Sequence, residues 1–323
     1  MKAVTGTYRL QLRGDVFTLD DARKLAGYLD SLGVSHLYLS PILTATTGST
    51  HGYDVTDPTT VSAELGGRAA LVALAAELDE RGMGLIVDLV PNHVGISDPR
   101  QNRWWWDVLS RGRASPYARW FDIDWHEDNG ADGRVALPVL GHERELDELH
   151  IDRGSGTAVL ALGALRFPIA DGTEEGTPRD IHDRQAYRLV GWRDGLVGYR
   201  RFFTVNDLAA VRQENPRVFA ATHRQLASWV SGGLVDGARV DHPDGLSDPA
   251  GYLRELRGVL GPDRWLVIEK ILTEGEPLDP TLPVDGTTGY DALAEVGGLF
   301  LDPDGAAPLT ELATRSGATG DAQ

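Results

Sequence analysis

Apolar and polar positions along this chain change period several times, and each change marks a boundary between elements. Gly6 to Leu12 (G-T-Y-R-L-Q-L) alternates with period two, which predicts a strand. Thr18 can cap a helix whose apolar positions Ala22, Leu25, Ala26, Leu29 and Leu32 follow helical spacing, with Gly33 ending it. Val34 to Ile42 reads as a second strand, followed by a Gly/Thr-rich loop from Thr47 to Asp54 (T-G-S-T-H-G-Y-D). A second helix runs from Gly67 to Arg81 with Leu71, Leu74 and Leu78 on one side. Gly84 to Val90 (G-L-I-V-D-L-V) is a third strand, nearly all apolar, and P-N-H-V follows it. Such runs fit strands covered by helices on both faces, hence a parallel sheet.

From Val94 to Phe203 the alternation lapses. This stretch holds Trp104, Trp105, Trp106, Trp120, Trp125 and Trp192, six of the eight tryptophans, with β-like pieces around Val135–Leu140 and Ala158–Pro168. It reads as an aromatic-rich insertion domain after the third strand, with at least two of Trp104–Trp106 in its own core. The strand–helix rhythm resumes with a helix after Pro216 and a strand at Leu234–Val240. A helix from Pro249 follows, capped by Asp248 and closed by Gly261, and then a fifth strand, Trp265–Leu272, with Glu269 inside it. The expected division is 1–93 as the first part of a barrel, 94–203 as the insertion, 204–272 as strands four and five with their helices, and 273–323 as the start of a further region.

Polar residues gather where the strands end: Asp88, Asn92, His93, Arg239, Asp241, His242 and Glu269. A doubly wound sheet also collects polar groups there, but it would carry a phosphate-binding G-x-G-x-x-G after the first strand, and none is present. A (β/α)8 barrel brings every strand end to one mouth and accounts for carboxylates from three strands.

Composition narrows the chemistry. Thirty-one basic against 48 acidic side chains give a net charge of −17, which disfavours nucleic acid and anionic membranes and suits a neutral solute. With no cysteine there is neither disulfide nor thiolate metal site. No window is apolar for long enough to span a bilayer and no signal-peptide core precedes the first strand, so the expected compartment is the cytoplasm.

The stretch L-V-D-G-A-R-V-D-H-P-D-G-L (Leu234–Leu246) puts Gly237, Arg239 and Asp241 on one strand face. On R-x-D alone a structural ion pair is the simpler reading. Glu269 changes the balance, because retaining glycoside chemistry needs one carboxylate as nucleophile and one carboxylic acid as proton donor. Arg239 is expected to hold Asp241 ionised, and the apolar Leu266-Val267-Ile268 before Glu269 to raise that carboxyl toward a general acid. Asp88 and His93 would hold sugar hydroxyls, and Tyr53 would offer a ring to a pyranose face.

D-L-V-P-N-H (Asp88–His93), G-A-R-V-D-H (Gly237–His242) and Glu269 resemble ordered motifs of the α-amylase superfamily. More narrowly, S-P-I-L-T-A-T-T-G-S-T-H-G-Y-D-V-T-D-P, Trp104–Leu109, S-P-Y-A-R-W-F-D-I-D-W, Y-R-R-F-F, V-D-H-P-D-G-L and G-T-T-G-Y-D are similar to the maltooligosyltrehalose synthase family. That resemblance implies a (β/α)8 TIM barrel of the α-amylase type, truncated after about five strands. The implied activity is a (1→4)-α-D-glucan 1-α-D-glucosylmutase reaction that makes an α,α-1,1 linkage, with no metal or organic cofactor. It makes Asp241 the nucleophile, Glu269 the general acid/base and Arg239 their orienting partner, with Asp88, His93, His51, Tyr53 and His242 around the substrate. The family's Asn before Y-R-R-F-F and Asp after it stand here as Gly198 and Thr204, and Gly141–Glu148 diverges. The superfamily's third carboxylate is expected beyond Gln323, the chain being an N-terminal portion. A maltooligosaccharide is the expected partner; plain hydrolysis and an inactive glucan-binding piece are the rival readings.

Overall fold

The computed structural model describes residues 2–154, 156–273 and 275–317. Six parallel strands form its central sheet: β1 (Thr7–Leu10), β2 (His36–Leu39), β3 (Gly84–Leu89), β4 (Gly237–Val240), β5 (Trp265–Ile268) and β6 (Gly286–Thr287). They lie side by side in chain order. A doubly wound sheet reverses direction at a switch point, whereas a barrel adds each strand beside the last. The sheet is therefore a curled, six-stranded part of a (β/α)8 barrel, with β1 and β6 each paired along one edge among the described residues. The sixth strand corrects the expectation of about five. Two residues, Gly and Thr, give no apolar run to read, and only pairing with Val267 and Ile268 makes them a strand.

Local chemistry starts and stops the helices between the strands. In Leu19–Ser31 the Thr18 N–H donates to Asp21 Oδ2 at 3.0 Å, and Leu19, Ala22, Ala26 and Leu29 are buried. Gly67–Glu80 buries Leu71, Leu74 and Leu78. Pro249–Leu260 has proline in its first turn, and Asp248 Oδ1 accepts from the Gly251 N–H at 2.8 Å. These faces pack on Leu37, Leu39, Leu85, Val87, Val240 and Leu266 to make one core. His36 lies on the other face of β2 from Leu37 and Leu39. It is fully buried against Gly84, where a Cβ would fall 2.3 Å from His36 Cδ2, so only glycine fits.

The insertion has a core of its own, built on Trp104, Trp105, Phe121, Phe167 and Tyr187. Trp104 and Trp105 are buried; Trp106 is half-buried. Three antiparallel strands (His150–Asp152, Val159–Leu162, Leu165–Pro168) and a parallel pair (Val135–Leu140 with Tyr187–Gly191) frame it. The sequence placed its end at Phe203, and pairing and packing continue past that residue. Leu208–Ala210 pairs antiparallel with His93–Gly95, and the second core takes in Val211 and Val218. The chain thus leaves the barrel and re-enters it on two adjacent short strands. After β6, the helices Tyr290–Gly298 and Ala306–Arg315 have no buried residue, and Phe300 is 84% exposed. Among the described residues no helix is long and apolar enough to cross a membrane.

One buried histidine makes the fold sensitive to acid. His223 sits at the break between the helices Pro216–Thr222 and Arg224–Ser231, stacked on Phe219 at 4.2 Å. Its Nδ1 faces the Phe219 carbonyl at 3.0 Å, so Nδ1 carries the proton and Nε2 accepts from the Tyr252 hydroxyl at 2.8 Å. Burial pushes this imidazole down from 6.5 to about 4. A lowered imidazole value means that its stability is complete above pH 6.5 and is lost as pH falls through about 4. The loss amounts to about 3 kcal/mol at most. Urea unfolding of the parent and His223→Gln at about pH 4.5 and 7.5 tests this, and the variant is expected to show the shallower pH dependence.

Candidate active site

Register sets the centre of the site. Arg239 on β4 lies directly across from Asp88 on β3 and Val267 on β5. The guanidinium is thereby placed between two strand ends that carry acids. Its Nη1 donates to Asp88 Oδ1 and to Asp241 Oδ1, both at 2.8 Å, and Nη2 meets Glu269 Oε1 at 2.9 Å. One positive charge serves three carboxylates. The Asp88 side chain is fully buried, Asp241 is 10% exposed and Glu269 is 26% exposed, so access to the mouth rises in that order.

Every residue singled out in the sequence joins this network. The Tyr53 hydroxyl donates to Asp88 Oδ2 at 2.7 Å, and the Tyr53 N–H donates to His51 Nδ1 at 3.0 Å, with the two rings stacked 6.1 Å apart. His93 accepts from Asn92 Nδ2 through Nδ1 and donates through Nε2 to the Tyr53 carbonyl at 3.2 Å. The His242 N–H donates to Glu269 Oε2 at 3.2 Å. His242 sits at φ +41°, in the left-handed region, against the rings of Phe202 and Phe203.

Both oxygens of Asp88 and both ring nitrogens of His93 are engaged within the protein. Two expectations change. Arg239 favours the ionised form of Asp241, but burial outweighs it and raises this carboxyl to about 7, with the charges of Asp88 and Glu269 adding to the rise. Glu269 is not in apolar surroundings, since it lies one residue past β5 and points both oxygens at donors. Burial also raises Asp88 and lowers His93 to about 4, so that imidazole is neutral at pH 7.

Sequence reasoning missed two residues. The Tyr38 hydroxyl donates to Asp88 Oδ2 at 2.9 Å, and Arg9 Nη2 donates to Tyr53 Oη at 3.2 Å with its guanidinium over the Tyr38 ring. The signal was present in the alternation: Arg9 on β1 with Gln11 just past it, and His36 and Tyr38 on β2 with Ser40 just past it, are polar positions of one phase. Arg200 ties the insertion to the site, donating to Asn92 Oδ1 at 3.2 Å and to the Gly245 carbonyl at 2.7 Å. Next to it, a Cβ on Gly198 would fall 2.3 Å from the Ala136 nitrogen, so this backbone has no room for an Asn there.

The raised Asp241 gives a signed prediction. With a folded value of about 7 against an ordinary 3.8, its contribution to stability is present below about pH 4 and is lost as pH rises through about 7. Asp241→Asn carries no charge to bury, so its thermal midpoint relative to the parent is expected to climb between about pH 4 and 7 and to level off above that. A midpoint difference flat in pH overturns this account. Arg239→Met leaves the carboxylates without a counter-charge and is expected to lose about 3–5 kcal/mol in chemical denaturation.

Comparison with known proteins agrees with this geometry. The alpha amylase catalytic-domain family matches residues 22–252. A putative maltooligosyl trehalose synthase of Mycobacterium tuberculosis (strain ATCC 25618 / H37Rv) is 58% identical over 97% of this chain and 41% of its own length. The structure of maltooligosyltrehalose synthase from Arthrobacter ramosus superposes with a TM-score of 0.92 at 50% identity, covering 98% of this chain and 41% of that one. A hypothetical maltooligosyl trehalose synthase of Sulfolobus tokodaii gives 0.79 at 37% identity, over 93% of this chain and 42% of that one. The chain thus spans about two-fifths of the length of these relatives. With its acids arrayed at the strand ends of a curled parallel sheet and its residues 22–252 matched, the chain belongs to the α-amylase family.

Proposed function

We propose that this chain carries the nucleophile and the acid/base of an intramolecular transglucosylase. It would convert the reducing-end α-1,4 linkage of a maltooligosaccharide to an α,α-1,1 linkage by a retaining double displacement, in the cytoplasm. The observation that carries the reading is the Arg239 guanidinium, which holds Asp241 and Glu269 on neighbouring nitrogens. Sharing one guanidinium keeps the two carboxyl groups close, as retention requires, rather than separated by a water. Likeness to the trehalose synthases supports the choice of substrate and product.

The roles follow from exposure. Glu269, the most accessible of the three acids, protonates the oxygen of the terminal linkage. Asp241, more deeply set, attacks the anomeric carbon and forms the β-glucosyl ester. The freed glucose turns in place, Glu269 takes the proton from its anomeric hydroxyl, and that oxygen displaces Asp241 with overall retention. Arg239 stays charged throughout, offsetting the negative charge that moves between the acids. Asp88 fixes Arg239 and the Tyr53 ring, while the stacked Tyr53–His51 pair offers the sugar an aromatic face. His93 and His242 act by holding Tyr53 and Glu269 respectively.

Two measurements test this. Incubation with a 5-fluoro-α-glucosyl fluoride followed by peptide mass spectrometry is expected to place the label on Asp241, and Asp241→Asn is expected to abolish it. Label on another peptide overturns the assignment. Following the anomeric NMR signals of maltopentaose then separates the products. An α,α-1,1 signal is expected, and glucose with maltotetraose alone would establish hydrolysis instead.

A further inference from the structure

Away from the carboxylates, the insertion holds a cavity of about 360 Å³, inside the roughly 300–1,000 Å³ range of small-molecule sites. Trp105, Phe167, Tyr199 and Trp192 supply aromatic surface, with Ser97 and Asp207 among them. Trp105 and Phe167 are buried in the second core, which makes that wall rigid. Trp192 differs, being 51% exposed. Its backbone is nonetheless fixed, since the Trp192 N–H donates to the Leu140 carbonyl at 2.9 Å and so extends the parallel strand pair. The Arg193 guanidinium lies over the indole at 4.5 Å. The ring is a held platform at the cavity's edge.

Asp207 is exposed at the cavity, and among the described residues its carboxylate has no hydrogen-bond or ionic partner within the protein, so both oxygens are open to a ligand. Among the described residues it is the one charged side chain lining the cavity, which disfavours an anionic ligand. An apolar occupant laid over it would strip water from that carboxylate at a cost. A pyranose meets both demands, with its C–H face on the indole and its hydroxyls on Asp207 and Ser97. The cavity wall at Ile96 and Ser97 follows directly on the His93–Gly95 strand. Four residues span at most about 14 Å, so the cavity lies within one oligosaccharide length of His93.

We propose that this cavity binds an α-1,4-glucan chain at a site separate from the carboxylate network, with Trp192 as its stacking platform and Asp207 as its hydroxyl acceptor. The choice of glucan rests on the functional reading above; the cavity's chemistry does not. The test uses the 323-residue chain in native gels with and without soluble starch, alongside maltoheptaose titration calorimetry. Trp192→Ala is expected to weaken binding about tenfold and to abolish retardation by starch. Trp192→Phe, which keeps a ring, is expected to restore most of it. An unchanged thermal midpoint in both variants would show that the second core is intact. Tyr53→Ala, which alters the ring beside the carboxylates, is expected to leave starch retardation in place. If Trp192→Ala binds like the parent while Tyr53→Ala does not, the cavity proposal falls and the functional reading stands. If Trp192 governs starch binding but no glucosyl label reaches Asp241, the functional reading falls and the cavity site stands.

Discussion

A single guanidinium shared by three acids constrains the whole site. Arg239 is 7% exposed and sits across the sheet from Asp88, so its charge is buried with little access to water. Buried charges survive only when compensated, and here the compensation is collective. β3 supplies one acid directly in register, the residue after β4 a second, and the residue after β5 a third. Any slip of one residue in the β3–β4 pairing would turn Asp88 or Arg239 to the helical side, where no partner exists. The electrostatics therefore fix the same register that the apolar faces favour.

Around that centre lies a second ring of restraints with no charge of its own. Tyr38 and Tyr53 both donate to the second oxygen of Asp88, and neutral His93 pins the Tyr53 backbone. On the opposite side His242 adopts a left-handed conformation that costs of order 1–3 kcal/mol in a residue other than glycine. The conformation is held by its N–H on Glu269 and by two phenylalanine rings from the insertion. Phe202 also meets the His93 ring, so one residue of the insertion touches both sides of the mouth.

Much of this was readable in the sequence because it rests on local rules. Asp248, Pro249 and Gly261 bound their helix, and the apolar runs at β3, β4 and β5 announced a covered parallel sheet. The residues at the strand ends could be named as a group for the same reason. What was not readable depends on distance in sequence. A two-residue strand such as Gly286–Thr287 exists only through its partner, and Leu208–Ala210 is a strand only because His93–Gly95 lies beside it. The protonation behaviour of Asp241 was hidden for a related reason. The sequence shows one arginine two residues away, whereas burial, with Asp88 and Glu269 brought in from other strands, outweighs it. Arg9 and Tyr38 were hidden differently, as polar positions in strands whose inward direction is unknown until the barrel closes.

The way the insertion leaves and rejoins the barrel bears on how the chain can fold at all. The Asp88–Arg239 contact joins residues 151 apart in sequence, the kind of non-local closure that slows folding. If the insertion condenses first on its own tryptophan-rich core, pairing of His93–Gly95 with Leu208–Ala210 shortens the remaining loop about fourfold. Each doubling of loop length costs about 0.6 kcal/mol, so this ordering removes about 1 kcal/mol from the entropy of joining β3 to β4. The insertion then acts as a built-in staple, bringing together in time the two strands whose charges meet in space.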